Sequence, residues 1–282
     1  MKGSITQYES DTLRKLQLAE LEILDAIDTL CREEHIEYFL DGGSALGALR
    51  HEGFIPWDDD IDIGMSRSDY DRFIDAARNS LPDTMALALP GETHGYSMMF
   101  AKVMRKDSKF YTKETIEAGF DQGIFVDIFP YDDLDPDPEI AKRQLKNGRL
   151  WQSASYLYHS KTIVVPHRGA IGFVERAACR AAHYLMQPFF SEESITAHFN
   201  ESIDRNIEGS THCATLAWAN SNGYKTADLL PTRPSVFEGR SFPVPGNAET
   251  YLNRTYGSNW HELPPPELRT NHAPVVLEFP PE

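Results

Sequence analysis

Cysteine is scarce. Cys31, Cys179 and Cys213 stand far apart, odd in number and without a Cys-x-x-Cys pair. That count and spacing argue against a disulfide framework or a zinc knuckle and lead us to expect a reducing, cytoplasmic setting. Positive charge is short as well: 27 Lys and Arg face 43 Asp and Glu, for a net charge of −16. The basic footprint of a nucleic-acid-binding protein is therefore missing. An acidic chain can still meet an acidic ligand through a divalent cation. Long apolar runs are absent, none nearing the roughly 18 residues of a spanning helix. The opening MKGSITQYES lacks the apolar stretch of a secretory signal, and no internal repeat is visible. The hydrophobic share, 41% of 282 residues, suits one large or two modest globular domains.

Hydrophobic spacing predicts the elements. Leu16, Ala19, Ile23, Ala26, Ile27 and Leu30 recur at helical intervals, so a helix should begin at a Ser10 or Asp11 cap and end near Glu34. IEYFLD (36–41) reads as a strand, ended by Gly42-Gly43, with a short helix over 44–50. Residues 60–65 alternate carboxylate and apolar side chains as a strand does, and Ser66 or Ser68 should cap a helix bearing Tyr70, Phe73, Ile74, Ala77 and Leu81. Segments 85–89, 96–105 and 123–129 read as further strands. Helices are expected over 137–159, over 169–187 and once more before 210, then short strands near 212–219 and 236–244, a helix at 248–256 and an extended tail.

The chemistry is concentrated in GGSALGALRHEGFIPWDDDIDI (42–63), where four carboxylates fall within five residues. Alternation along a strand points Asp60 and Asp62 to one face and Ile61 and Ile63 to the other. Asp58 joins the pair if the strand starts early, and Asp59 should point away. Two like charges on one face are costly unless a cation neutralises them. Mg²⁺ takes oxygen ligands and bridges carboxylates to substrate phosphates; Mn²⁺ is the alternative ion. The preceding Gly42, Gly43 and Ser44 let backbone approach a ligand and open a helix whose first N–H groups favour phosphate. A phosphate cradle beside a metal cradle suits phosphoryl transfer. Asp127, a lone charge in the apolar run IFVDIF (124–129), is the expected third carboxylate, as metal ligand or as acceptor of a hydroxyl proton.

These stretches resemble the LicD family, which includes fukutin-related proteins. The likeness runs through LQLAELEILDAIDTLCREEHIEYFLDGG, the block quoted above, SRSDYDRFI, GIFVDIFPYDDL and SVFEGRSFPVPGNAETYLNRTYGSNWHELP, and is weakest over 160–210. It implies an α+β fold: a nucleotidyltransferase-like mixed β-sheet core flanked by helices, over about 10–160, with a helical and irregular part over 161–282. It implies transfer of phosphocholine or a phospho-polyol from a CDP-linked donor to a glycan hydroxyl, with release of CMP. Gly43 and Ser44 correspond to the fold's Gly-Ser signature, Asp60 and Asp62 to its paired metal ligands, and Asp127 to its third carboxylate. The alternatives are nucleotidyl transfer from an NTP with release of pyrophosphate, and a non-catalytic scaffold in a glycan-modifying complex.

Three further residues are substrate-binding candidates. Arg50 either neutralises donor phosphate or buffers the acidic cluster. Lys102 either reaches a phosphate or snorkels at the surface. Trp57 either stacks on cytosine or a choline cation, or fills core. His51 and His212-Cys213 read as structural. Arg176, Arg180, His183 and Gln187 fall along one side of helix 169–187, where they meet an anionic membrane surface or pair with the chain's own acids. The first case would place the protein at the inner face of a membrane.

Overall fold

A computed structural model describes residues 8–163, 165–203, 207–218, 223–269 and 271–281. The first seven residues and Ala219, both part of the expectations above, lie outside them. The described chain is α+β. Helix α1 (Ser10–Glu33) leads to β1 (Phe39–Leu40), α2 (Gly42–His51), β2 (Asp62–Ser66) and α3 (Arg67–Ser80). Strands β3 (Met85–Ala88), β4 (Ala101–Arg105) and β5 (Lys109–Tyr111), helix α4 (Lys113–Ala118) and β6 (Phe125–Asp133) follow. Three helices come next, α5 (Pro138–His159), α6 (Gly169–Met186) and α7 (Glu192–Glu201). The remainder is β7 (His212–Ala214), β8 (Tyr224–Lys225), α8 (Thr226–Leu229), the hairpin β9 (Arg233–Phe237) and β10 (Arg240–Val244), α9 (Ala248–Tyr256) and β11 (Val276–Glu278).

The main sheet is mixed, in the order β1-β2-β6-β4-β3, with β7 and β8 added at the far end of β6. Strands β2 and β6 are parallel; β1, β4 and β3 run antiparallel to their neighbours. The core lies on both faces of this sheet. Ile61, Ile63, Met65, Val126 and Ile128 are wholly buried, as are Leu16, Ile23, Leu24 and Ile27 of α1. At about 25 cal/mol per Å² of apolar surface removed from water, such a face is what holds α1 to the sheet. Gly64 has a packing role in β2. A Cβ there would come within 2.5 Å of the Phe39 ring and 2.7 Å of the Tyr131 ring, and those rings meet edge to face at 5.2 Å.

Several boundaries differ from expectation. Helix α1 is preceded by Glu9, which makes no capping bond, so neither Ser10 nor Asp11 is its cap. Segment 96–105 is a strand only from Ala101, and β2 starts at Asp62, leaving Asp60 just ahead of it. The stretch 236–244 is half of a hairpin whose turn is Glu238-Gly239. The tail folds back: β11 pairs with β5, Leu277 opposite Phe110.

Gly64→Ala should overpack the contact between Phe39 and Tyr131 and cost about 1–3 kcal/mol of stability. Urea unfolding measures it, and an unchanged midpoint would contradict the packing role.

Candidate functional site

The site begins at the end of β1. Asp41, buried, caps α2 by accepting the Gly42 N–H at 2.8 Å. Its carboxylate also accepts the Tyr131 hydroxyl, at 2.9 Å to each oxygen, and the hydroxyl of Tyr251 from α9. Burial pushes the Asp41 carboxyl up, and these three donors oppose it. Gly42 takes φ +47°, a backbone shape L side chains rarely adopt, and a Cβ there would lie 3.3 Å from Asp62 Oδ2. The turn is thus held rigidly against the carboxylates by residues from three distant parts of the chain. Ser44 is not the cap. It lies inside α2, buried, and its hydroxyl accepts the Asp62 N–H at 2.9 Å. It fixes the start of β2 and does not line the cavity.

Pairing across the sheet sets the charged row. Asp62 on β2 is registered with Asp127 on β6, and Asp127 with Lys102 on β4. Asp60, Asp62 and Asp127 all line one cavity of about 360 Å³ with Gly42, Gly43, Thr215, Trp218, Tyr256 and His272. Burial, then mutual repulsion, pushes the Asp62 carboxyl well above the usual carboxylate range, and Asp60 and Asp127 rise by burial as well. Asp58 stands behind Gly43, its Oδ2 2.8 Å from where a Cβ of Gly43 would be, and its backbone carbonyl accepts from Gln17 at 3.0 Å. Asp59 turns away, fully buried. It accepts the Tyr8 hydroxyl at 2.7 Å and the backbone N–H groups of His272 and Ala273 at 2.8 and 3.0 Å.

Two cations face this row. Lys102, only 4% exposed, pairs with Asp127 Oδ1, its Nζ 3.2 Å from the centre of the Phe125 ring. It neither snorkels nor stands free to meet a phosphate. Burial pulls its ammonium down while Asp127 holds it up. His272, from the tail, sets Nδ1 3.3 Å from Asp59 Oδ1 and 3.6 Å from Asp60 Oδ2. The charge of Asp60, followed by the bond to Asp59, raises the imidazole to about 10. Against the upward push of burial, His272 and Tyr8 hold Asp59 below its ordinary value. One atom each of Asp59, Asp60 and His272 lies within 4.8 Å of the others, so the imidazolium itself brings positive charge to these two carboxylates.

Two of the sequence candidates lie elsewhere. Arg50 donates to the carbonyls of Trp260 and Glu262 at 2.8 and 3.1 Å and lines neither the carboxylate cavity nor its neighbour. Those carbonyls, near the end of α9, satisfy the guanidinium before it can reach a ligand. Trp57 stacks under the Arg269 guanidinium at 4.5 Å and packs on the core, also outside both cavities. Sequence reasoning missed His272 and Glu20. Glu20, on α1, is wholly buried with both carboxyl oxygens unpartnered among the described residues. Burial, then the charge of Asp60, pushes it well up, toward its neutral form. Its position in an otherwise apolar helix stripe was the available signal. His272 had none, since it reaches Asp59 across 213 residues.

A second cavity, about 310 Å³, adjoins the first and shares Asp127, Trp218 and His272 with it. Tyr96, Phe100, Phe110, Phe120, Phe125 and Tyr156 contribute aromatic wall, and Glu114 and the Lys102 that pairs with Asp127 line it as well. The hydroxyls of Tyr96 and of Thr215, one in each cavity, are buried without a partner among the described residues. Such groups are costly unless a ligand or water meets them.

Replacing Tyr251 with Phe removes one donor from buried Asp41. Stability should fall by about 1.5–3 kcal/mol, whereas Tyr256→Phe should change it by less than about 0.5 kcal/mol. Equal denaturation midpoints for the two variants would contradict the clamp.

Comparison with known proteins identifies the family. Residues 35–168 match the model of the LicD/FKTN/FKRP nucleotidyltransferase domain. The lipopolysaccharide cholinephosphotransferase LicD of Haemophilus influenzae is 37% identical over 277 residues, 93% of this chain and 96% of that protein. Shorter likenesses reach an uncharacterized protein of Rickettsia prowazekii, 38% identical over 55 residues (20% of this chain, 21% of that one). The human ribitol 5-phosphate transferase FKRP is 53% identical over 34 residues (12% of this chain, 7% of that one). With the carboxylate row at the end of its sheet and a likeness to one relative spanning nearly its whole length, the chain belongs to the LicD family.

Proposed function

We propose that the protein transfers phosphocholine from a CDP-linked donor to a hydroxyl of a lipopolysaccharide glycan and releases CMP. The relative that covers most of the chain is named for phosphocholine transfer to lipopolysaccharide. The observation that carries the reading is the position of Asp127, where a carboxylate-lined cavity meets an aromatic one. The first cavity suits a diphosphate and the second a choline group, so the phosphorus between them would lie near Asp127.

The carboxylates that line the cavity suit a divalent cation by chemistry, while among the described residues the ligand atoms that converge within 4.8 Å are those of Asp59, Asp60 and His272, not those of Asp60, Asp62 and Asp127. Carboxylate oxygens of Asp60, Asp62 and Asp127 line the cavity, and burial is the main reason their carboxyls are pushed up, with mutual repulsion adding to it at Asp60 and Asp62. Mg²⁺ or Mn²⁺ held by Asp60 and Asp62 would supply neutralisation of the diphosphate, which leaves Asp127 free to act on the acceptor hydroxyl. The chain's own groups do the rest. The first-turn amide of α2 at Gly43, which lines the cavity, has no acceptor within the helix and suits a phosphate oxygen. A quaternary ammonium donates no hydrogen bond and is best held by aromatic faces, which Phe120, Tyr156 and Trp218 offer, with Glu114 adding negative charge. The acceptor oxygen attacks the phosphorus that bears choline, and the bond from that phosphorus to the bridging oxygen breaks. The bridging oxygen leaves with CMP. The hydroxyl proton passes to Asp127 Oδ2, Lys102 having taken Oδ1.

Asp60→Asn and Asp62→Asn should each lower CMP release from CDP-choline by at least about 100-fold, and EDTA should abolish it. Tyr156→Ala should weaken CDP-choline binding by about 5–30-fold while leaving CDP binding unchanged. Calorimetry and phosphorus NMR of the products read these effects. Pyrophosphate released from CTP would instead select nucleotidyl transfer. Folded protein that binds neither nucleotide nor metal would point to a scaffold.

A further inference from the structure

Helix α6 (Gly169–Met186) stands away from the core, Gly172 being its one fully buried residue. One side is attached: His183 Nδ1 meets the Leu157 carbonyl of α5 at 2.9 Å, and just past the helix Gln187 donates to the Tyr158 carbonyl at 2.9 Å. The other side is apolar and open. Ile171, Phe173, Val174, Tyr184 and Leu185 are 59–69% exposed, and Phe189 just beyond is 79% exposed. At about 100° per residue these helix positions, with Ala177, Ala178 and Ala181, form an arc of roughly 160°. Arg176 and Arg180 border it. Neither has an ion-pair partner among the described residues, and the nearby acid Glu175 is taken by His167 at 2.6 Å. Pairing with the chain's own acids, the alternative weighed from the sequence, is not what these arginines do.

Charge follows the same division. Residues 140–190 hold eight Lys and Arg (142, 143, 146, 149, 161, 168, 176 and 180) and one acid, Glu175, a net charge of +7 within a chain of −16. The other residues therefore carry −23. A monomer seldom exposes so continuous an apolar face. A second copy docked symmetrically on it would set Arg176 and Arg180 against themselves. No helix among the described residues is long and apolar enough to cross a membrane. An apolar arc edged by arginines is, however, the pattern of a helix lying in the surface of an anionic bilayer.

We propose that α6 docks the protein on an anionic lipid surface, with Phe173, Val174, Leu185 and Phe189 among the acyl chains and Arg176 and Arg180 at the headgroups. Tyr156 of α5, the helix that carries α6, lines the aromatic cavity, so docking would fix the orientation of the site to the surface. The proposal stands whether or not the donor is CDP-choline.

The test is co-sedimentation of the full chain with phosphatidylcholine vesicles, with and without one-quarter phosphatidylglycerol, at low and high salt. Binding is expected only with phosphatidylglycerol, and salt should weaken it. The double variant R176Q/R180Q should bind about 30-fold less, and F173S/L185S at least about tenfold less, each with an unchanged circular dichroism spectrum and melting temperature. Failure of the wild-type chain to sediment, or binding by either double variant equal to wild type, overturns the proposal. So would a dimer in analytical ultracentrifugation that F173S/L185S dissolves.

Discussion

Carboxylates repel one another, and the top of the β2–β6 pair gathers them where water is scarce. Asp60, Asp62 and Asp127 share a cavity wall, Asp58 and Asp59 stand just behind, and Glu20 lies buried nearby. Left alone, such a cluster would work against folding, since each charge brought out of water costs several kcal/mol. Much of the surrounding structure compensates. Strand β4 delivers Lys102 to Asp127, and the tail crosses the molecule to deliver His272 to Asp59 and Asp60. The pairing of β11 with β5 anchors that tail just beyond Val275. The C-terminal segment is therefore part of the site and no mere appendage to the core.

The glycine turn obeys the same constraint from the other side. Under the proposed function a phosphate near these carboxylates needs donors facing it, which the start of α2 can offer only if it is held in place. Asp41 does this by accepting the Gly42 N–H and two tyrosine hydroxyls, one from β6 and one from α9. Ser44 ties the same helix to the first residue of β2. The Ser44 hydroxyl thus holds the frame, and under the proposed function the backbone at Gly43 is what would meet a phosphate.

What could be read from the sequence, and what could not, follows the range of the interactions involved. Helices α1, α3 and α6 came from local periodicity, the shared face of Asp60 and Asp62 from strand alternation with isoleucines, and Asp127 from being a lone charge in an apolar run. Asp60 was assigned to the strand, yet it precedes β2 and still lines the cavity, next to Ile61 whose carbonyl already accepts the Asp127 N–H at 3.0 Å. Of the two readings given to Arg50 and Trp57 the ligand-binding one does not hold, for one reason: each sits next to the cluster in sequence, and each is satisfied by a distant partner, the 260–262 carbonyls or Arg269. His272 and the aromatic cavity were invisible for the converse reason. Their members come together only once β4, β6, α5 and the tail have folded.

The molecule is thus divided by charge. The acidic part holds the row of carboxylates, and that acidity keeps anionic surfaces away from the site unless something draws them in. The basic part, residues 140–190, lies mostly on α5 and α6, and Tyr156 of α5 reaches the wall of the aromatic cavity. In a uniformly mixed surface, arginines beside so many acids would be quenched by them. Arg176 and Arg180 escape this because α6 projects from the body and the acid within its own turns is already bound to His167. That separation lets one chain concentrate negative charge for chemistry and still present a positive, apolar edge to something else.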